Sequence, residues 1–89
     1  MYAFIDGEVI SSRAELHDSL IRELSLPDWY GRNLDALYDC LTDLTEDTCL
    51  VLLHQEALRA HLGRQAAALL CLLRDAAAAN PRLHLMLND

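Results

Sequence analysis

Cys49-Leu50-Val51-Leu52-Leu53 is an unbroken run of five apolar residues between the polar stretch Thr45 to Thr48 and the pair His54-Gln55. A run this short with no polar alternation suits a strand covered on both faces, and places it inside a parallel sheet. Helical patterns flank it on either side. Upstream, Asn33 is a good N-cap, and Leu34, Leu37, Leu41 and Leu44 recur at three- and four-residue intervals, so a helix extends to about Leu44. Before it, Ser12-Arg13-Ala14-Glu15 is a capping box, and Leu16, Leu20 and Leu24 continue a helix from Arg13 to Leu24. Leu26-Pro27 ends that helix, because the residue before proline is pushed out of the helical region, and Asp28 to Arg32 is a loop.

Downstream, Gln55 to Leu62 reads as a short helix closed by Gly63, and Arg64 to Ala79 as a longer one stopped by Asn80-Pro81. The outermost segments are strands. Tyr2 to Ile5 is closed by Asp6-Gly7, with Val9-Ile10 continuing as extended chain, and Arg82 to Leu87 alternates. The expected fold is α/β, a three-stranded parallel sheet packed with about four helices in the order β-α-α-β-α-α-β. Connections of this length suit right-handed crossovers.

The 89 residues allow a single domain, 1–89. An apolar share of 53%, with three Gly and two Pro, excludes disordered, collagenous and low-complexity readings. Fourteen acids against seven basic residues, all arginine, give a net charge of −7, which repels nucleic acid and anionic membranes and favours a basic partner. Cys40, Cys49 and Cys71 are odd in number and form no C-x-x-C, which fits a reducing, cytoplasmic setting. The longest apolar run, Ala66 to Leu73, falls far short of a membrane span.

The second helix carries the least expected feature. Asp35, Asp39 and Asp43 stand at i, i+4 and i+8, so at about 100° per residue they share one face, opposite the leucines. Each such pair destabilises a helix by about 0.2–0.5 kcal/mol, and only Asp35, in the first turn, is favoured by the helix dipole. A solvated polar face is the ordinary reading of charged residues. Here, however, Glu46 and Asp47 extend the stripe to five acids with no base between Asp35 and Asp47. Such a concentrated negative potential steers and holds a cationic surface. Trp29, Tyr30 and Tyr38 border the acids, as aromatic residues do at interface hot spots, although at least one of Trp29 and Tyr30 is expected to pack down onto the core.

Other chemistries fit less well. Adjacent carboxylates on an exposed helix lack the desolvation a catalytic acid needs, so no enzyme activity is expected. His54-Gln55-Glu56 has the H-x-E of zinc deaminases without the P-C-x-x-C. No EF-hand loop or zinc ligand spacing is present, so no metal or other cofactor is expected. His17, His54, His61 and His84 are scattered and read as packing or surface residues, and Cys40 and Cys71, in helices among leucines, as small buried apolar ones. An acidic module for a basic, non-nuclease protein is the remaining alternative.

Pro27-Asp28-Trp29-Tyr30-Gly31-Arg32-Asn33-Leu34-Asp35-Ala36-Leu37-Tyr38-Asp39-Cys40-Leu41 closely resembles the signature segment of the barstar family, intracellular inhibitors of barnase-type ribonucleases. Asp6-Gly7-Glu8, Leu16-His17, Glu23-Leu24, Leu26, Leu50-Val51-Leu52 and Arg74-Asp75-Ala76 extend the resemblance along the chain. It implies a ribonuclease inhibitor, antitoxin or immunity protein that is monomeric when free and plugs the active site of a basic, secreted nuclease in a 1:1 complex. By the same resemblance, Asp39 takes the substrate phosphate position and pairs with catalytic arginines and a histidine, Asp35 is a neighbouring contact, and Trp29 packs on the catalytic histidine. Gly31, Asn33, Leu34 and Tyr38 match further contacts, and Asp75 replaces a rim glutamate. With Tyr30, Asp43 and Glu46 from the stripe and its border, these are the candidate partner-binding residues. The family has glycine and tryptophan where this chain has Asp43-Leu44, and tryptophan at Tyr38, so the contact edge is altered.

Overall fold

The computed structural model describes residues 1–88. Three strands, β1 (Tyr2–Asp6), β2 (Thr48–Leu53) and β3 (Leu83–Leu87), form one parallel sheet in the order β1-β2-β3. The apolar run lies on the central strand, with Ala3 opposite Leu50 and Leu50 opposite Leu85. Helices α1 (Arg13–Leu24) and α2 (Leu34–Thr42) connect β1 to β2, and α3 (Gln55–Leu62) and α4 (Arg64–Ala79) connect β2 to β3. Thus the α/β class, the element order and the parallel sheet are as the sequence implied.

The core is built where one sheet face meets the helices. Ala3, Ile5, Leu50, Leu52 and Leu83 from the strands join Leu16, Leu20, Leu37, Leu41, Leu58, Leu69 and Leu73 from the helices in one buried cluster. Expected cover on both sides of β2 needs correction. Val51 is buried on the other face, flanked in register by Phe4 and Met86, yet it lies outside the main core. Tyr2, Phe4 and Met86 on that face are exposed, and the Tyr2 and Phe4 rings stack at 6.2 Å. Cross-strand neighbours flank Val51 on the face where further cover was expected.

Cap chemistry sets the helix ends. Ser12 accepts from the Glu15 amide at 3.2 Å, as the capping box requires. The Glu15 carboxylate, however, accepts from the Ser11 and Ser12 hydroxyls, at 2.6 and 3.2 Å. Ser25 closes α1 in the left-handed region. Gly63 separates α3 from α4 at φ 56°, ψ −121°, a conformation that L side chains strongly disfavour. Gly7 serves a different need, because a Cβ there would collide with the His54 carbonyl and lie 2.7 Å from Leu58 Cβ.

Two expectations about segment ends change. Val9-Ile10 does not continue the strand: Gly7, Glu8 and Val9 form a turn, with the Val9 amide on the Asp6 carbonyl at 3.3 Å. The second helix ends at Thr42 with Asp43 as its cap, short of Leu44. There the buried side chain of Asn80 donates to the carbonyls of Leu41 and Leu44, at 2.9 and 3.2 Å, which satisfies acceptors that another helical turn would have used.

Candidate functional site: an acidic helix and the loop before it

Asn33 caps α2, accepting from the Ala36 amide at 2.8 Å while its Nδ2 donates to the Gly31 carbonyl at 3.1 Å. The first turn of the helix and the Gly31 backbone are thereby fixed together. Leu37 and Leu41 are fully buried, Leu34 and Tyr38 are half-buried, and Asp35, Asp39 and Asp43 are exposed. Among the described residues, none of these three aspartates lies within ion-pair distance of an arginine, a histidine or the N-terminus. The face therefore presents its carboxylates to solvent without a basic partner beside them.

Its field is felt inside the helix. The Cys40 thiol is pushed above its usual pKa, first by burial and then by the negative charges of Asp39 and Asp43. Cys40 is half-buried against the core as expected, but Cys71 is exposed, which corrects its placement among buried apolar residues. Position 71 lies on a part of α4 that no neighbouring element covers, a fact its leucine-rich surroundings in sequence conceal.

The acidic stripe is shorter than its sequence. Glu46 is exposed and unpaired among the described residues, but Asp47 lies 3.8 Å from Arg82 and 3.5 Å from His84. The fifth acid thus has basic side chains beside it at the start of β3, unlike the three aspartates of α2. Asp75 is exposed on α4, the helix packed against α2.

The two loop aromatics part company. Trp29 is 75% exposed, whereas Tyr30 is 6% exposed and belongs to the core. The Tyr30 hydroxyl and His17 Nδ1 share a buried hydrogen bond of 2.7 Å, and the Tyr30 amide donates to the Pro27 carbonyl at 2.9 Å. Burial, before any neighbouring charge, pushes the Tyr30 phenol up to about 12. Tyr30 therefore anchors the loop from beneath while Trp29 projects from it.

Arg32 is a second anchor that the spacing of residues did not reveal. It sits at φ 53°, donates to the Ala14 carbonyl at 3.2 Å, and forms an ion pair with Asp18 at 2.8 Å. Arg13 donates in return to the Arg32 carbonyl at 3.0 Å. Arg13, Asp18 and His17 all lie on α1, so the only sequence signal for this anchorage was the location of Arg32 and Tyr30 on either side of Gly31. Through α1, the loop and the acidic helix are presented as one unit.

Comparison with known proteins can now be set beside this geometry. A model of the Barstar (barnase inhibitor) family matches residues 1–87. Over 73 residues the chain is 42% identical to a Bacillus subtilis (strain 168) protein named "Putative ribonuclease inhibitor YrdF", covering 81% of this chain and 80% of that protein. With the family match spanning nearly the whole sequence and a relative 42% identical over 81% of it, this chain belongs to the barstar family.

Proposed function

We propose that this protein inhibits a basic ribonuclease of the barnase type by laying α2 and the Trp29–Asn33 loop into its active-site cleft. The carboxylates of Asp39 and Asp35 take the places of RNA phosphates and meet the cationic groups that would otherwise grip substrate. Asp43 and Glu46 extend the negative edge, Asp75 forms a contact at the rim, and Gly31, Leu34 and Tyr38 border the same surface. Trp29 stacks against a cationic or imidazole group, since an aromatic face attracts positive charge. The inhibitor acts in the cytoplasm as a monomer that forms a 1:1 complex, and RNA is a competitor for the same cleft.

One observation carries this reading: three carboxylates on one helical face are exposed and have no ionic partner among the described residues, beside an exposed tryptophan. A free helix gains nothing from that arrangement, because the like charges repel. Burial against a basic cleft turns the same repulsion into attraction.

The test is RNA cleavage by a barnase-type ribonuclease encoded beside this chain, titrated with the native inhibitor and with Asp39→Ala. The native protein is expected to abolish cleavage at one equivalent. Removing one partner of a buried charge pair costs about 2–5 kcal/mol, a range whose measured examples include barnase with barstar, so the variant should bind roughly 30- to 5,000-fold more weakly. Equal potency of the two proteins would falsify the plugging mechanism.

A further inference from the structure

Asp6, Glu8 and His54 come together at the far ends of β1 and β2, and none of them belongs to the acidic helix or its loop. Their ligand atoms lie within 4.8 Å of one another. His54 Nδ1 is 2.8 Å from Asp6 Oδ1, and His54 Nε2 is 3.2 Å from Glu8 Oε2. Glycine at position 7 makes this approach possible, because any side chain there would strike the His54 carbonyl. The turn is held further by the Glu8 amide on Asp6 Oδ1 at 2.9 Å and by the Gly7 amide on the Leu53 carbonyl at 2.8 Å.

The chemistry of the ring allows more than an ion pair here. A neutral imidazole has one N–H. If Asp6 receives it at Nδ1, the lone pair of Nε2 faces the anionic oxygen of Glu8, and that contact is repulsive unless a cation lies between them. A proton can take that place, and so can a metal ion. Zinc binds imidazole nitrogen and carboxylate oxygen at about 2.0–2.2 Å, so two such ligands at tetrahedral to right-angled geometry stand about 2.9–3.5 Å apart. The observed 3.2 Å falls inside that interval. Asp6 on the opposite ring nitrogen is the arrangement by which carboxylates fix the tautomer of metal-ligating histidines.

We propose that His54 Nε2 and the Glu8 carboxylate form a surface site for a divalent metal of the zinc class, with Asp6 as the positioning residue and water completing the coordination. The sequence could not disclose it by ligand spacing, because Asp6 and His54 are 48 positions apart. The half-exposed carboxylate and ring leave the open positions accessible. This site is independent of the inhibitory reading and shares no residue with it.

Zinc chloride titrated into the intact protein at neutral pH tests the proposal, followed by calorimetry and by the imidazole C–H resonances of the four histidines. The expected result is saturation at one equivalent with the His54 resonances shifting first, loss of that saturable binding in Glu8→Gln and His54→Ala, and a roughly 10- to 100-fold weaker affinity in Asp6→Asn. Far-UV circular dichroism verifies that each variant is folded, and the resonance shifts of the native protein decide the matter without any substitution. Unshifted His54 resonances at saturating zinc, or undiminished binding in folded His54→Ala through the exposed thiol of Cys71 or the aspartates of α2, would overturn it.

Discussion

Asn80 terminates α4, yet its side chain serves a different helix by donating to two carbonyls at the end of α2. Alanine there removes both bonds; the Leu41 carbonyl still accepts from the Leu44 amide at 3.5 Å, so the loss of the Asn80 donor should cost about 1–3 kcal/mol in all. Urea unfolding of Asn80→Ala should show a midpoint lowered accordingly. His17 makes the other residue-scale prediction. Burial, then the charges of Arg13 and Arg32, lower its pKa below 6.5, while Asp18 opposes them and the Tyr30 hydroxyl occupies one ring nitrogen. The unfolded chain therefore takes up this proton first, and stability falls as pH drops through about 6.5, levelling off only below the folded-state value. Denaturant midpoints measured across that window should show this slope, and His17→Gln should flatten it. In sequence, neither role was visible: Asn80 read as a helix stop, and His17 as one of four scattered histidines.

At the scale of the elements, α2 combines a buried leucine edge with a charged face, and the two can be tested apart. Leu41 is fully buried, so Leu41→Ala should cost about 2–5 kcal/mol in unfolding free energy through lost contacts and the cavity left behind. Asp39→Ala, at an exposed position, should leave the thermal midpoint nearly unchanged while weakening inhibition. Arg32→Ala removes the side-chain bonds of Arg32 to α1, leaving those of Tyr30 and of the Arg32 carbonyl, and should affect complex formation more than the stability of the sheet. The extents of α1, α3 and α4 were legible in the sequence, because the Ser12 capping box, Gly63 and the two prolines mark most of their ends. Less legible was whatever another element decides: the end of α2 depends on Asn80, the direction of Tyr30 on His17, and the pairing of Asp47 on Arg82 and His84. The exposed stripe itself was readable, since the spacing of aspartates against leucines needs only the helical period.

For the whole molecule, the relevant quantity is the field around a chain with net charge −7 and an unpaired acidic face. In the proposed complex, long-range attraction to a basic nuclease speeds encounter, and salt shortens its reach to about 10 Å at 0.1 M. Stopped-flow association with the nuclease should therefore slow markedly as ionic strength rises, with a smaller change in the dissociation rate. No helix among the described residues is long and apolar enough to cross a membrane.

The parallel sheet has a temporal consequence for a protein made on ribosomes. Its pairings join Tyr2 with Cys49 and Thr48 with Leu83, so no strand meets its neighbour early in synthesis. Because the amide that finishes α2 belongs to Asn80, a nascent chain already displaying every aspartate of the stripe still lacks the support that holds them in place. Under the proposed function, truncations upstream of Asn80 should therefore fail to inhibit the nuclease that the intact chain blocks.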